Sequence, residues 1–327
     1  MTLQELERLK ENSKEKTSNK ILRNLKFYLI PGWRDEKFTE IEYEIGKTKS
    51  KRKAFRRILS PLTILSIILI LFITFLAVYS PWLTPYTLEE LTNKGISGGD
   101  PFALPSPGHP LGTTRYAYDI LGRLIWGSRT AILFGFVTII IAASGGIVIG
   151  TVSAYFGKKT DAIIMRIADL VMVFPSLILL IIFIQMAGQS ILNMLLLFGV
   201  LAIPGYARLM RSSVFQVKQS LFIEAAITGG AKHFKIMFKH IIPNAISPIL
   251  ISFFGGVGIA ILGLTSISFL GFGDQSLPDW GTDINFARVR FSSYYAAFWP
   301  GLFLLVAVLG FMLLGDGLRD AFDPKNR

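Results

Sequence analysis

The stretch from Pro61 to Leu83 contains no charged residue, and comparable runs recur along the rest of the chain. A segment of about 20 apolar residues crosses the hydrocarbon of a bilayer as a helix, because lipid offers nothing to bond an open backbone. The runs predict an all-α integral membrane protein with spans at 61–83, 131–156, 168–187, 190–208, 244–271 and 294–315. Leu170 to Ala207 carries no charge and is too long for one helix, so the polar turn Ala187-Gly188-Gln189-Ser190 is expected to divide it. Six spans place both termini on one side.

The formal charge of +12 would suggest a nucleic-acid surface if the cations formed one folded face. They follow the spans instead. Of 34 lysines and arginines, only Lys94, Arg115, Arg123, Arg129, Arg288 and Arg290 fall opposite the N-terminus in this arrangement. The positive-inside rule then makes both termini and the segments around Lys158 and Lys218 cytoplasmic, as in a multi-pass protein of the cell membrane. The first thirty residues hold Lys10, Lys14, Lys16 and Lys20 without an apolar core, so no cleavable signal peptide is expected. Residues 1–50 read as a cytoplasmic extension, and the basic stretch 51–60 as an interfacial elbow helix on an anionic membrane surface. Segment 84–128, rich in proline and glycine, reads as an irregular outer loop. With no cysteine, neither disulfides nor thiolate metal sites can form.

The segment 209–243, between the fourth and fifth spans, carries the most specific pattern. Glu224-Ala225-Ala226, then Gly230, then a basic stretch ending at Ile242-Pro243-Asn244 predict a short helix, a glycine turn and a second helix. Small residues at Ala225 and Ala226 allow close approach to a partner, and Gly230 reverses the chain without a Cβ clash. The second helix should place Phe234, Phe238 and Ile241 on one stripe and Lys232, Lys235 and Lys239 opposite. Glu224 is then either a solvated charge or a docking charge. His233 and His240 share a helical face but lack a third ligand at suitable spacing, so no metal site is expected.

Asp169 near the inner end of the third span is expected to pair with Arg166 at i, i+3, or else to relay protons. Pro175, Pro204 and Pro248 mark kinks or hinges. Gly145-Gly146, Gly255-Gly256 and Gly258 suit close helix packing. There is no Gly-x-x-x-x-Gly-Lys-[Ser/Thr] loop, so ATP cannot be hydrolysed here in the P-loop manner.

Glu224-Ala225-Ala226 with Gly230 and His240-Ile241-Ile242-Pro243-Asn244 resembles the EAA motif of binding-protein-dependent ABC importers, in the form of their dipeptide/oligopeptide permeases. The resemblance extends from about Ser50 to the C-terminal end. Ser80-Pro81-Trp82-Leu83-Thr84-Pro85-Tyr86, His109-Pro110-Leu111-Gly112-Thr113, Phe174-Pro175-Ser176, Ser268-Phe269-Leu270-Gly271 and Leu314-Gly315-Asp316-Gly317-Leu318-Arg319-Asp320 are similar to family signatures. Thr114 to Asp119 departs from the Asp-Gly-Arg-Asp usual after the outer signature.

The resemblance implies a six-span type I ABC importer permease of the second subunit type. Its partners would be a homologous permease, two cytoplasmic ATPases holding ATP and magnesium, and an external binding protein, with no cofactor in this chain. Glu224, Ala225, Ala226, Gly230, Pro243 and Asn244 would couple to the ATPase, and His109, Pro110 and Gly112 would meet the binding protein. A peptide substrate is implied, with nickel, glutathione or oligosaccharide as alternatives. The rival of another class is a proton-driven transporter relayed by Asp169, yet spans one, two, four and five contain no Asp or Glu. An ion channel would need a polar filter segment, which is not evident.

Overall fold

The computed structural model describes residues 60–93 and 100–322. The expected N-terminal extension lies outside them, as does all of the expected elbow helix except Ser60. That residue is the N-cap of α1 (Pro61–Leu83): its Oγ accepts from the Thr63 amide at 3.3 Å, and Pro61 occupies the first turn, where a missing N–H costs nothing. The chain returns through α2 (Ile120–Phe156), α3 (Lys158–Val173) and α4 (Ser176–Ala187) to α5 (Ile191–Lys218). Beyond it lie α6 (Leu221–Thr228), α7 (His233–Lys235), π-helical turns at Ile236–Ile241, and α8 (Ile242–Ala245). The last part comprises α9 (Ser247–Ile267), π-helical turns at Ser268–Phe272, α10 (Trp280–Ala287) and α11 (Tyr295–Phe322). Among the described residues five helical segments are long and apolar enough to cross a membrane, and α3 with α4 forms a sixth candidate bent by 86°.

Several of the expected spans differ from what forms: α5 runs past the expected 208 to Lys218, into the expected loop 209–243, α11 runs past 315 to Phe322, and the second and third differ more. The second was expected at 131–156, but α2 starts at Ile120 and runs 37 residues, roughly 55 Å. Arg123 and Arg129 interrupt the uncharged run without ending the helix, because Arg123 is paired inside the protein and Arg129 stacks over Trp126. The start of the helix thus replaces the end of the expected outer loop. The third was expected as one helix over 168–187, but the chain breaks at Phe174-Pro175. Proline drives the residue before it into extended backbone, and Phe174 has ψ 137°. Pro204 lies inside a continuous α5, whereas Pro248 sits in the first turn of α9 and marks a helix start rather than a hinge.

α2 runs through the middle of the bundle, against α1, α5 and α9, while α11 packs on α9 and α1. The core between them is apolar, with Phe134, Ile139, Val257, Ile261 and Phe311 buried together. Glycines set the closest approaches. A Cβ on Gly146 or Gly150 would overlap α5 at Tyr206, Ala207 or Met210, and one on Gly135 would meet Val257 at 2.9 Å. Leucine, isoleucine and phenylalanine side chains cover the outer faces of α1, α3 and α4, as a lipid-facing surface requires.

At one end of the bundle the segment 100–119, expected to be irregular, is tightly bonded. Tyr295 donates its hydroxyl to the Phe102 carbonyl at 2.7 Å, and the Thr113 hydroxyl donates to the Asp100 carbonyl at 2.6 Å while accepting from the Ala103 amide. Asp119 caps α2 by accepting from the Gly122 amide at 2.6 Å. Burial raises its carboxyl above the usual range, and the Gly122 amide and the His109 ring partly oppose that. Below this cap the Arg123 guanidinium donates to Asp283 of α10 and to the Leu91 carbonyl. Desolvation pushes the Asp283 carboxyl up to about 6 against the pull of that guanidinium.

Candidate functional site

The other end of the bundle carries α6, a helix of eight residues standing beyond the end of α5. Ser220 is its N-cap. At its C-terminal end the Gly230 amide donates to the Ile227 carbonyl at 3.0 Å and the Ala231 amide to the Ala226 carbonyl at 3.1 Å. This left-handed closure needs a residue with positive φ, and Gly230 has φ +74°. The turn expected at Gly230 is therefore made by the backbone geometry that only glycine adopts cheaply.

One face of this segment is anchored. Ile223, Ile236, Met237 and Ile241 are buried against Tyr155 of α2 and Met210 and Val214 of α5. The Tyr155 hydroxyl lies 2.7 Å from the His233 Nδ1, and Lys218 Nζ donates to the Tyr155 carbonyl at 2.6 Å, where a cation suits the exposed carbonyls of a helix C-terminus. Asp161 at the start of α3 accepts two bonds from Arg211, at 2.5 and 2.6 Å, and one from the Ser153 hydroxyl.

The other face is open. Glu224 and Ala225 are exposed, and around them lie Leu221, Phe222, Ile227, Phe234 and Phe238, with Leu221 82% exposed. Phe234, Phe238 and Ile241 were expected on one stripe, but Ile241 is buried while Phe234 and Phe238 are exposed. The π-helical turns at Ile236–Ile241 widen the helix and shift its register, burying Ile236 and Met237 and turning Phe234 and Phe238 outward, stacked at 4.3 Å.

The expected coupling residues divide into two places. Glu224, Ala225, Ala226 and Gly230 share one helix and its closing turn, with Ala226 half-buried toward the bundle and Glu224 outward. Pro243 and Asn244 lie beyond the π-helical turns, where the Asn244 side chain donates from Nδ2 to the His240 carbonyl at 2.7 Å. The expected ion pair of Arg166 with Asp169 is replaced. Asp169 accepts from Arg208 of α5 at 2.6 Å, because the packing of α3 on α5 brings that guanidinium alongside. His109 stacks on Tyr86 and lies 3.1 Å from Asp119, and Gly112 is buried at φ +84° beside Tyr295; of that trio only Pro110 is exposed. Among the described residues His233 and His240 have no acidic partner, and no group of metal-ligating side chains occurs.

A cavity of about 1090 Å³ opens beside the α3–α4 break, bordered by Phe174, Phe198, Tyr206, Gly256, Asp316 and Arg319. Its wall is mainly apolar, with the two charges grouped on α11.

A polytopic helical bundle that presents a small anchored helix at one end and an open cavity along its helices has the build of a membrane transport subunit. The chain belongs to the family of binding-protein-dependent transport system inner membrane components, whose model matches residues 146–327. It is 34% identical over 277 residues to the dipeptide transport system permease protein DppC of Alkalihalophilus pseudofirmus, covering 84% of this chain and 90% of that protein. It is likewise 34% identical over 263 residues to the glutathione transport system permease protein GsiD of Pectobacterium atrosepticum, covering 78% and 84%. A third relative, the probable D,D-dipeptide transport system permease protein DdpC of Escherichia coli K12, is 34% identical over 271 residues, covering 81% and 88%.

Proposed function

We propose that this chain is a peptide-translocating permease subunit of an ATP-driven importer. It works with a homologous permease, two cytoplasmic ATPases that bind ATP and magnesium, and an external binding protein. The observation that carries the reading is α6: Ile223 pegs it to the bundle while Glu224, Leu221 and Phe222 face outward, which leaves an apolar patch with one acidic group for a partner. α6 then lies on the cytoplasmic side, in keeping with the basic residues around it. The relatives named for dipeptides, D,D-dipeptides and glutathione support a short peptide as substrate. The pairing of Asp169 with exposed Arg208 gives no support to a buried proton relay.

The test uses the assembled complex in nanodiscs. Glu224→Lys reverses the outward charge, and Gly230→Val forces a β-branched residue to φ +74°, a strain of roughly 1–3 kcal/mol. Both variants should insert normally yet lose ATPase association or substrate-stimulated hydrolysis. A Cβ at Gly230 would meet nothing within 4 Å inside this chain, so the strain argued here is that of the backbone. Wild-type hydrolysis and uptake in both variants would sink the coupling role of this segment.

A further inference from the structure

The bundle end opposite α6 carries three exposed arginines, Arg115, Arg288 and Arg290, which come together from distant parts of the chain. The Phe102 amide donates to the Thr114 carbonyl, next to Arg115, and the Arg290 guanidinium stands 5.7 Å from the Phe102 ring centre. Arg115 lies over Tyr116, whose ring meets Phe286 edge-on at 4.8 Å, two residues before Arg288. Arg288 in turn stands over Phe269 at 5.9 Å. Each guanidinium is thus held near an aromatic ring, which limits the freedom it would lose on binding. Among the described residues no carboxylate forms an ion pair with any of them. Around them Leu104, Val289 and Tyr294 are exposed, Tyr294 by 76%. Tyr294 adjoins Tyr295, whose hydroxyl bonds the carbonyls of Phe102 and Ala103 beside Leu104.

Arginines on aromatic supports beside exposed leucine and tyrosine have the composition of a protein interface centre, not of a plain solvated surface. We propose that Arg115, Arg288 and Arg290 form the docking patch for an acidic face of the external substrate-binding protein, with Leu104, Val289 and Tyr294 as its apolar rim. This rests on the importer reading above. It moves the contact away from His109 and Gly112, which are built into the cap, and it makes docking depend on salt.

The experiment uses the full complex in nanodiscs and its own purified binding protein as the probe. Arg115→Glu/Arg288→Glu/Arg290→Glu should leave assembly and basal ATP hydrolysis unchanged. The binding-protein concentration giving half-maximal stimulation should rise about tenfold or more at low salt. Added salt should weaken docking to the wild type and not to the triple variant. The chain has no native cysteine, so Val289→Cys supplies a direct readout: a membrane-impermeant thiol reagent should label it, and saturating binding protein should block the labelling. If the triple variant fails to assemble, single Arg→Gln changes should each lower the salt dependence, and the Val289→Cys protection still stands as a test. A wild-type concentration dependence in the variants, or labelling blocked by anionic lipid and not by binding protein, overturns the docking patch alone. A wild-type complex that no binding protein stimulates overturns the importer reading and the patch together.

Discussion

Arg123 and Asp283 are 160 residues apart in the chain and pair inside the protein, each side chain 2% exposed. The same guanidinium donates to the Leu91 carbonyl at 2.5 Å and stands over the Tyr118 ring, so one side chain joins α2, α10 and the segment after α1. Removing one partner of a buried pair strands the other charge away from water, at a cost of about 3–5 kcal/mol.

Asp283→Ala should therefore lower the unfolding temperature in detergent sharply, and Arg123→Met with Asp283→Leu should recover much of the loss. A double variant as unstable as the single one would show that the rings and the Leu91 bond, and not the ion pair, hold this region together.

A second prediction concerns Tyr206 and Gly256. A Cβ at Gly256 would overlap the Tyr206 hydroxyl oxygen, while that hydroxyl makes only a 3.3 Å bond to the Ser252 carbonyl. Gly256→Ala should destabilise the protein by about 1–3 kcal/mol, the usual cost of overpacking. Adding Tyr206→Phe removes the overlapping atom and should restore most of the stability. Unfolding midpoints of the two single variants and the double variant decide it; the idea fails if Tyr206→Phe makes the glycine variant worse.

The Asp169 pair gives the third. Its side chains are 56% exposed at Asp169 and 51% at Arg208, so their coupling in a double-mutant cycle should be small, about 0.2–1 kcal/mol. Asp169 with Arg166 should show none. Uptake by Asp169→Asn should keep its requirement for ATP and gain or lose nothing on collapse of the proton gradient. Loss of gradient-driven uptake in that variant would favour the rival transporter.

Where the helices run was largely legible from uncharged runs, because lipid penalises charge so heavily that its absence marks a span. The same rule hid the first turns of α2, since it reads Arg123 and Arg129 as exposed cations when one is neutralised internally and the other rests on Trp126. The sequence of α6 and its glycine closure was readable because Gly230 has a local backbone cause. The orientation of Phe234 and Phe238 was not, because a π-helical turn breaks the 3.6-residue spacing on which such a reading rests. Asp169 chose Arg208 over Arg166 for a reason invisible along one helix: the competing partner arrives from another helix 39 residues later.

The anchoring of α6 has a mechanical consequence. Ile223 and Ile241 are fully buried, His233 meets Tyr155, and Lys218 grips the last carbonyls of α2, so no slack remains between this helix and the ends of α2 and α5. If α6 is the docking helix proposed above, a push on Leu221 or Glu224 passes to these anchors and not only to the turn at Gly230. Under the proposed function it would travel as the stroke of a crank through α2 and α5, and Tyr206 and Leu209, which pack with the residues anchoring α6, also line the cavity.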